Sequence, residues 1–383
     1  MNTITSTESL PQLSFELLED RYSRQRLIAS WDQDKVSNAR ILVAGAGALG
    51  NEVLKNLALI GIGYILIIDF DRVEVSNLSR SVLFCEEDIG APKATRAAWA
   101  LRKLNPDVGV SAIEGDLECD LGLGQIREFD LVLGCLDSIH ARWILNRACR
   151  RAGRPWINAG INATVGEVCT YVPQSGPCYE CGMTQQMWQR IHQRRSCMLL
   201  PKKLPPRTIP TTSVIASLTA ALQVNEALKW IHGEQQLSPG EMMLLSLEPY
   251  ALSSFSMAAK PDCLAHESYS PSILMDATPA KITVAELLGR IQQATALQLD
   301  FDILESWLCP NCGEEPVGQR LSAELSKQLA CPHCKADRTP HFIHELTSSD
   351  WLAGRSLAGL GVPSRDVLRV LTSSGIHYVE LTK

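Results

Sequence analysis

Apolar and polar positions along the first two thirds of the chain fall into two alternating kinds of segment. Short, nearly continuous apolar runs at 39–44, 64–69 and 129–136 read as strands buried on both faces. Between them, 50–60, 92–104 and 138–152 carry apolar residues at helical spacing, and 108–113, 155–161 and 166–172 read as extended. This succession predicts a mainly parallel sheet covered by helices. A strong helix follows over 212–232, with Val214, Leu218, Leu222 and Leu228 on its apolar positions and Gly233 as its stop. Residues 242–247 and 251–257 alternate like two strands around Glu248-Pro249-Tyr250.

Two stretches break the rhythm. Residues 182–210 combine Arg190, Arg194, Arg195, Lys202, Lys203 and Arg207 with Pro201, Pro205, Pro206 and Pro210, a composition that predicts a mobile loop. Serine and proline accumulate over 267–279, which reads as a linker. Beyond it, 284–295 reads as a helix, and 367–371 faces 376–381 as a hairpin across 372–375. The expected division is an extension over 1–20, an α/β domain over 21–266, the linker, and a small α+β domain over 280–383.

Composition narrows the function classes. A chain of 383 residues, 45% of them apolar, is long enough for two cores. A formal charge of -6 argues against a nucleic acid or an anionic membrane as partner, since either favours a basic surface. The first twenty residues lack the pattern of an export signal and no apolar run approaches membrane-spanning length, so a soluble, cytoplasmic protein is expected. Thirteen cysteines, an odd number, fit metal binding better than a disulfide framework in such a chain.

Gly45-Ala46-Gly47-Ala48-Leu49-Gly50 lies between a predicted strand and a predicted helix, where glycines permit a tight turn and a helix N-terminus attracts phosphate. Asp69 closes the next strand 19 residues after Gly50, at the place of an acid that binds ribose hydroxyls. Taken alone, these features describe a nicotinamide-dependent oxidoreductase. Asp71, Asn77 and Arg80 then follow within a few residues, Lys93 comes soon after, and Asp137 ends the strand over 129–136. A dinucleotide has two phosphates and needs no metal, whereas a triphosphate calls for several cations and a carboxylate to hold magnesium. Arg80, Lys93 and Asp137 together meet that second demand.

Arg21-Tyr22-Ser23-Arg24-Gln25, the glycine turn, the run over 69–80, Gly90-Ala91-Pro92-Lys93 and Leu136-Asp137 resemble, in order, the motifs of the ThiF/MoeB/ubiquitin-activating superfamily. The resemblance spans roughly 20–266 and implies a Rossmann-like adenylation fold. It implies that Gly45, Gly47, Gly50, Asp69 and Asp71 hold ATP, with Asp69 on the ribose. By the same resemblance Asn77, Arg80 and Lys93 contact the phosphates and reacting centre, Asp137 coordinates magnesium, and Arg24 reaches the nucleotide of a second copy in a homodimer. Ser81 departs from the glutamine common in such enzymes, which leaves the orientation of the phosphates open.

Cys309-Pro-Asn-Cys312, 18 intervening residues and Cys331-Pro-His-Cys334 have the spacing of a zinc ribbon; a redox dithiol is the alternative. Cys178-Tyr-Glu-Cys181 is half of another tetrahedral site. The resemblance places its other half at Cys263-Leu-Ala-His266, with His266 standing where a fourth cysteine is usual. Cysteines 85, 119, 135, 149 and 169 read as small buried thiols. Cys197 sits close after Arg194-Arg195, whose charge favours a thiolate, and the resemblance places an acyl-acceptor cysteine in this loop; an ordinary loop cysteine is the other reading.

The activity implied is ATP-dependent adenylation of the C-terminal glycine carboxylate of a ubiquitin-like protein, then thioester formation and transfer to a conjugating enzyme. The extra cysteine-rich domain makes the chain resemble bacterial enzymes encoded beside a ubiquitin-like protein and a conjugating enzyme, some in antiphage operons, and the expected role of 280–383 is to recruit one of these partners. A sulfur-carrier adenylyltransferase of MoeB/ThiF type is the alternative activity.

Overall fold

The computed structural model describes residues 19–197, 210–233, 239–271, 273–321, 325 and 328–383. Five apolar strands, β1 (Arg40–Ala44), β2 (Tyr64–Asp69), β3 (Gly109–Glu114), β4 (Leu131–Gly134) and β5 (Trp156–Ile161), run parallel in the order β3-β2-β1-β4-β5. Three antiparallel strands, β6 (Val165–Tyr171), β7 (Glu241–Leu247) and β8 (Tyr250–Ser256), extend this sheet to eight. The helices are α1 (Gln33–Asn38), α2 (Ala48–Ile60), α3 (Lys93–Leu104), α4 (Leu123–Ile126), α5 (Ile139–Ala152), α6 (Gln185–Cys197) and α7 (Ser213–His232). None of the described helices is long and apolar enough to cross a membrane.

Side-chain alternation on the buried strands builds two cores. Ile41, Val43, Ile65, Ile67, Leu131, Leu133 and Ile157 face Val53, Leu57 and Ala97 of α2 and α3 and Val224 of α7. Leu42, Leu66, Ile68, Val132 and Trp156 face the other way, onto Trp143, Leu145 and Cys149 of α5. Helix ends follow the local sequence: the Ser138 hydroxyl accepts from Ala141 N and caps α5, the Thr212 hydroxyl caps α7, and Gly61, Gly153 and Gly233 close α2, α5 and α7 in the left-handed conformation.

The segment expected to be a loop over 182–210 is helical over its first part, as α6. Prolines in this stretch begin only at Pro201, and Met183, Met187, Trp188 and Ile191, at helical spacing, pack into the core beneath α5. The apolar stripe outweighs the basic composition from which a loop was expected. Residues 198–209 lie outside the described part.

The remaining strands form a second sheet in the order β11 (Gly313–Arg320), β10 (Ala294–Cys309), β13 (Val367–Thr372), β14 (Gly375–Leu381) and β9 (Ile273–Met275), with β12 (Thr339–Leu346) on β10. The helix expected over 284–295 is shorter: α8 spans Val284–Gly289, opened by a capping box between Thr283 and Glu286. From Ala294 the pattern changes to period two, and Leu297, Leu299 and Ile303 enter the second core, making β10 a strand of 16 residues. The presumed linker also carries structure, since β9 pairs in parallel with β14.

The two sheets are tied together near the amino ends of the parallel strands. The Leu123 amide donates to Asp366 Oδ1 at 3.0 Å, Tyr269 Oη donates to Asp300 Oδ1 at 2.6 Å, and the Tyr269 and Tyr378 rings stack at 4.5 Å. Arg151 pairs with Asp300 at 3.1 Å and Arg320 with Glu118 at 3.3 Å. A Cβ at Gly122 would fall 2.2 Å from the Ser364 carbonyl oxygen, so backbone meets backbone there.

Candidate active site

The turn from β1 into α2 is shaped by its glycines. Gly45 has φ +98° and a Cβ there would lie 2.5 Å from the Cys135 carbonyl oxygen, while one on Gly50 would lie 2.0 Å from that of Gly45. At Gly47 a Cβ would meet nothing within 4 Å, so the start of α2 opens onto free space where its unpaired amides attract an anion.

Asp69 stands at the carboxyl end of β2. Its Oδ2 accepts from Ala46 N at 2.7 Å and its Oδ1 from Asp71 N at 2.7 Å, which binds the acid to the glycine turn. Burial pushes its pKa up, opposed by those two amides and by the charge of Lys93. Lys93, at the start of α3, is itself buried; its Nζ meets Asp71 Oδ2 at 2.8 Å and its amide donates to the Asp71 carbonyl at 2.9 Å. Asn77 is buried and its Oδ1 accepts from Glu74 N at 3.0 Å, closing a short turn. Three residues on, Arg80 is half-buried and its Nη1 donates to the Ser76 carbonyl.

Asp137 is exposed just beyond β4. The residue before it is held by Arg142, whose Nε and Nη2 donate to the Leu136 carbonyl at 3.2 and 2.9 Å and whose Nη1 pairs with Glu167 at 3.1 Å. Gly45, Gly47, Gly50, Asp69, Asp71 and Asp137 thus lie at or just after the carboxyl ends of β1, β2 and β4, where open parallel sheets bind ligands; Lys93 joins them through Asp71, and Arg80 stands in the segment that Leu83 ties to Asn51 of α2. Arg24 is exposed on the segment before α1, next to exposed Leu27 and Ile28. Cys197 ends α6, and its side chain lies outside the described residues.

Both cysteine groups converge. The ligand atoms of Cys178, Cys181, Cys263 and His266 all lie within 4.8 Å of one another, as do those of Cys309, Cys312, Cys331 and Cys334. Sulfur atoms around a tetrahedral zinc ion stand about 3.8 Å apart. In the first group the Cys178–Cys181 and Cys178–Cys263 distances are 3.9 and 3.6 Å, and Cys181 Sγ is 3.3 Å from His266 Nε2. In the second, Cys309–Cys334 and Cys331–Cys312 are 3.4 and 3.8 Å. Both donor sets could hold zinc. Burial and the nearby Arg150 lower the His266 pKa, in the direction of the neutral, ligating form, and the Ala336 amide leads in pulling Cys334 down to about 6.

Sequence reasoning passed over the residues that hold this end of the sheet in shape. Besides Arg142, buried Gln223 of α7 donates to the Gly134 and Ile157 carbonyls at 3.2 and 2.8 Å, and buried Asn51 of α2 bridges the glycine turn to Leu83. Asn51 follows Gly50 directly, so an amide at that place was visible; its distant partner was not.

The model of the ThiF family matches residues 22–265. The SAMP-activating enzyme E1 of Haloferax volcanii is 32% identical over 253 residues, 64% of this chain and 87% of that protein. A sulfur carrier protein adenylyltransferase of Thermus thermophilus is 31% identical over 258 residues, covering 64% and 89% of the two. Among solved structures, E. coli MccB with ATP superposes with a TM-score of 0.54 at 28% identity, over 66% of this chain and 75% of that one.

Proposed function

The chain belongs to the ThiF family, and from that premise we propose that it adenylates the C-terminal glycine carboxylate of a ubiquitin-like protein and passes the acyl group to a thiol. It is an enzyme of the E1-like adenylyltransferase kind. The observation that carries the reading is the placing of the glycine turn, Asp69 and Asp137 at the carboxyl ends of β1, β2 and β4, with Lys93 joined to them through Asp71.

In the reaction proposed, a carboxylate oxygen attacks the α-phosphorus of ATP, the bond to the bridging oxygen breaks, and pyrophosphate leaves with its electrons. Asp69 takes the ribose hydroxyls and the amides at the start of α2 take phosphate oxygens. Lys93, paired with Asp71 at 2.8 Å, and Arg80 supply positive charge against the negative charge that grows on the leaving group. Asp137 would hold magnesium, which when bound neutralises phosphate charge. Arg24 of a second copy completes the site in a homodimer. Zinc at either cysteine group would be structural, because four protein ligands fill the shell.

Cys197 is assigned as the acceptor: its thiolate attacks the acyl-adenylate carbonyl, AMP leaves, and a conjugating enzyme takes over the thioester. A sulfur-carrier substrate fits at least as well: the 31% identity with the Thermus thermophilus adenylyltransferase stands beside the 32% with the SAMP-activating enzyme E1. The two readings share the adenylation and part afterwards, at thioester or thiocarboxylate. We place partner recruitment on 280–383, which lies beyond the stretch matched by the family model. A photocrosslinker at exposed His344 should then capture the partner, and capture only by probes placed within 21–266 would count against that placement.

The test is ATP–pyrophosphate exchange with a protein ending in Gly-Gly. Exchange that depends on that terminus and is abolished in Asp137→Ala supports the adenylation; exchange unchanged in that variant refutes the metal role. A thiol-sensitive adduct that survives Cys197→Ala refutes the acceptor assignment.

A further inference from the structure

We propose that Asn51 is a positioning residue that sets the distance between the glycine turn and Arg80, and through it the seating of the ATP phosphates. The proposal rests on the adenylation reading above and adds to it a residue outside the nucleotide-contacting set.

Asn51 lies in the first turn of α2 and is fully buried. Its Nδ2 donates to the Ala46 carbonyl at 2.7 Å and to the Gly47 carbonyl at 3.2 Å, and its Oδ1 accepts from the Leu83 amide at 2.9 Å. A carboxamide offers two N–H donors and one carbonyl, and here all are engaged. Its orientation is fixed by the network: turned over, it would set an oxygen against two carbonyls and an NH2 against an amide.

Two consequences follow for the site. The carbonyl oxygens of Ala46 and Gly47 are held on Asn51 inside the protein, which anchors one end of the bridge in the glycine turn. At the other end, the Leu83 amide belongs to a tight segment containing Arg80, whose amide donates to Asn77 O at 3.0 Å while Phe84 N donates to Ser81 O at 3.2 Å. Ser81 in that segment is buried. Fixing Leu83 therefore fixes where the Arg80 backbone stands relative to the start of α2. A buried amide whose partner is removed loses a hydrogen bond that water does not replace, so the two segments should come apart rather than adjust.

The experiment measures MgATP affinity by calorimetry for the full chain, Asn51→Ala, Arg80→Ala and the double variant, with thermal melting to verify folding. Asn51→Ala is expected to bind about tenfold more weakly, about 1.4 kcal/mol, and the double variant no more weakly than Arg80→Ala alone. Penalties that add overturn the proposal, since a purely structural role would not act through Arg80. Should Asn51→Ala fail to fold, amide hydrogen exchange on the unaltered chain decides. MgATP is then expected to slow exchange of the Leu83 amide together with that of the glycine turn, and slowing of the turn alone overturns the proposal. An unaltered chain that takes up no MgATP instead overturns the adenylation reading, and this one with it.

Discussion

The two cysteine groups have similar chemistry and different surroundings. Cys178 and Cys181 are buried, Cys263 is half-buried and His266 exposed, and the group is tied to helix α5 and its neighbours: the Tyr179 amide donates to buried Asn146 at 3.0 Å, Arg147 grips Glu180 at 2.8 and 3.1 Å, and Lys260 N reaches Cys181 Sγ at 3.4 Å. Asn146 and Arg147 belong to α5, which begins just after Asp137. Cys309, Cys312, Cys331 and Cys334 instead close the far end of the long strand β10, where Cys312 and Cys334 are exposed. The same donor chemistry thus serves as a keystone in one place and as a clasp on a projecting ribbon in the other. What a metal contributes depends on how much structure hangs on its ligands.

The strongest way to break this comparison is to remove one ligand from each group. Cys178→Ala is expected to cost the most, because a structural zinc held there would contribute on the order of 10 kcal/mol and the group is tied to α5. Loss of cooperative melting of the whole chain, together with loss of pyrophosphate exchange, is the expected result. Cys309→Ser should leave pyrophosphate exchange intact and raise amide exchange only in the outer parts of β10, β11 and β12. Loss of activity in that variant would show that the ribbon is coupled to the candidate active site.

Glu180→Ala sharpens the contrast without touching a ligand. Glu180 is buried while Arg147 keeps partial contact with water, so breaking their bidentate pair should cost about 1–3 kcal/mol, read as a lower melting temperature. Smallest is Thr283→Ala, which removes the cap of α8 and should cost about 1 kcal/mol in the second sheet's unit alone. An equal effect of that change on exchange in α2 or α5 would mean that the two units unfold as one.

Much of the candidate site was readable from the chain because its signals are local. Glycines at 45, 47 and 50, an acid closing a strand at 69 and an acid after a strand at 137 each announce a backbone position, and strand succession fixes which end of a parallel sheet they share. The C-x-x-C spacings declared their half-sites in the same way. Where composition was used in place of periodicity the reading went astray, as with the basic stretch whose apolar stripe makes α6 and the presumed linker that supplies β9.

By itself, then, the sequence determined the alternating strands and helices, the conformation of the glycine turn and the candidate ligands of each metal. Each of these depends on residues within a few positions of one another. Tertiary structure alone decided that Asn51 would meet Leu83, that Gln223 would hold two strand ends, that Arg142 would brace the residue before Asp137, and that Asp366 would dock on Leu123. Those pairings join residues whose separation along the chain carries no periodic signal. They are selected by burial, which makes it costly for an enclosed donor or acceptor to lack a partner and so favours whichever one the fold has brought near.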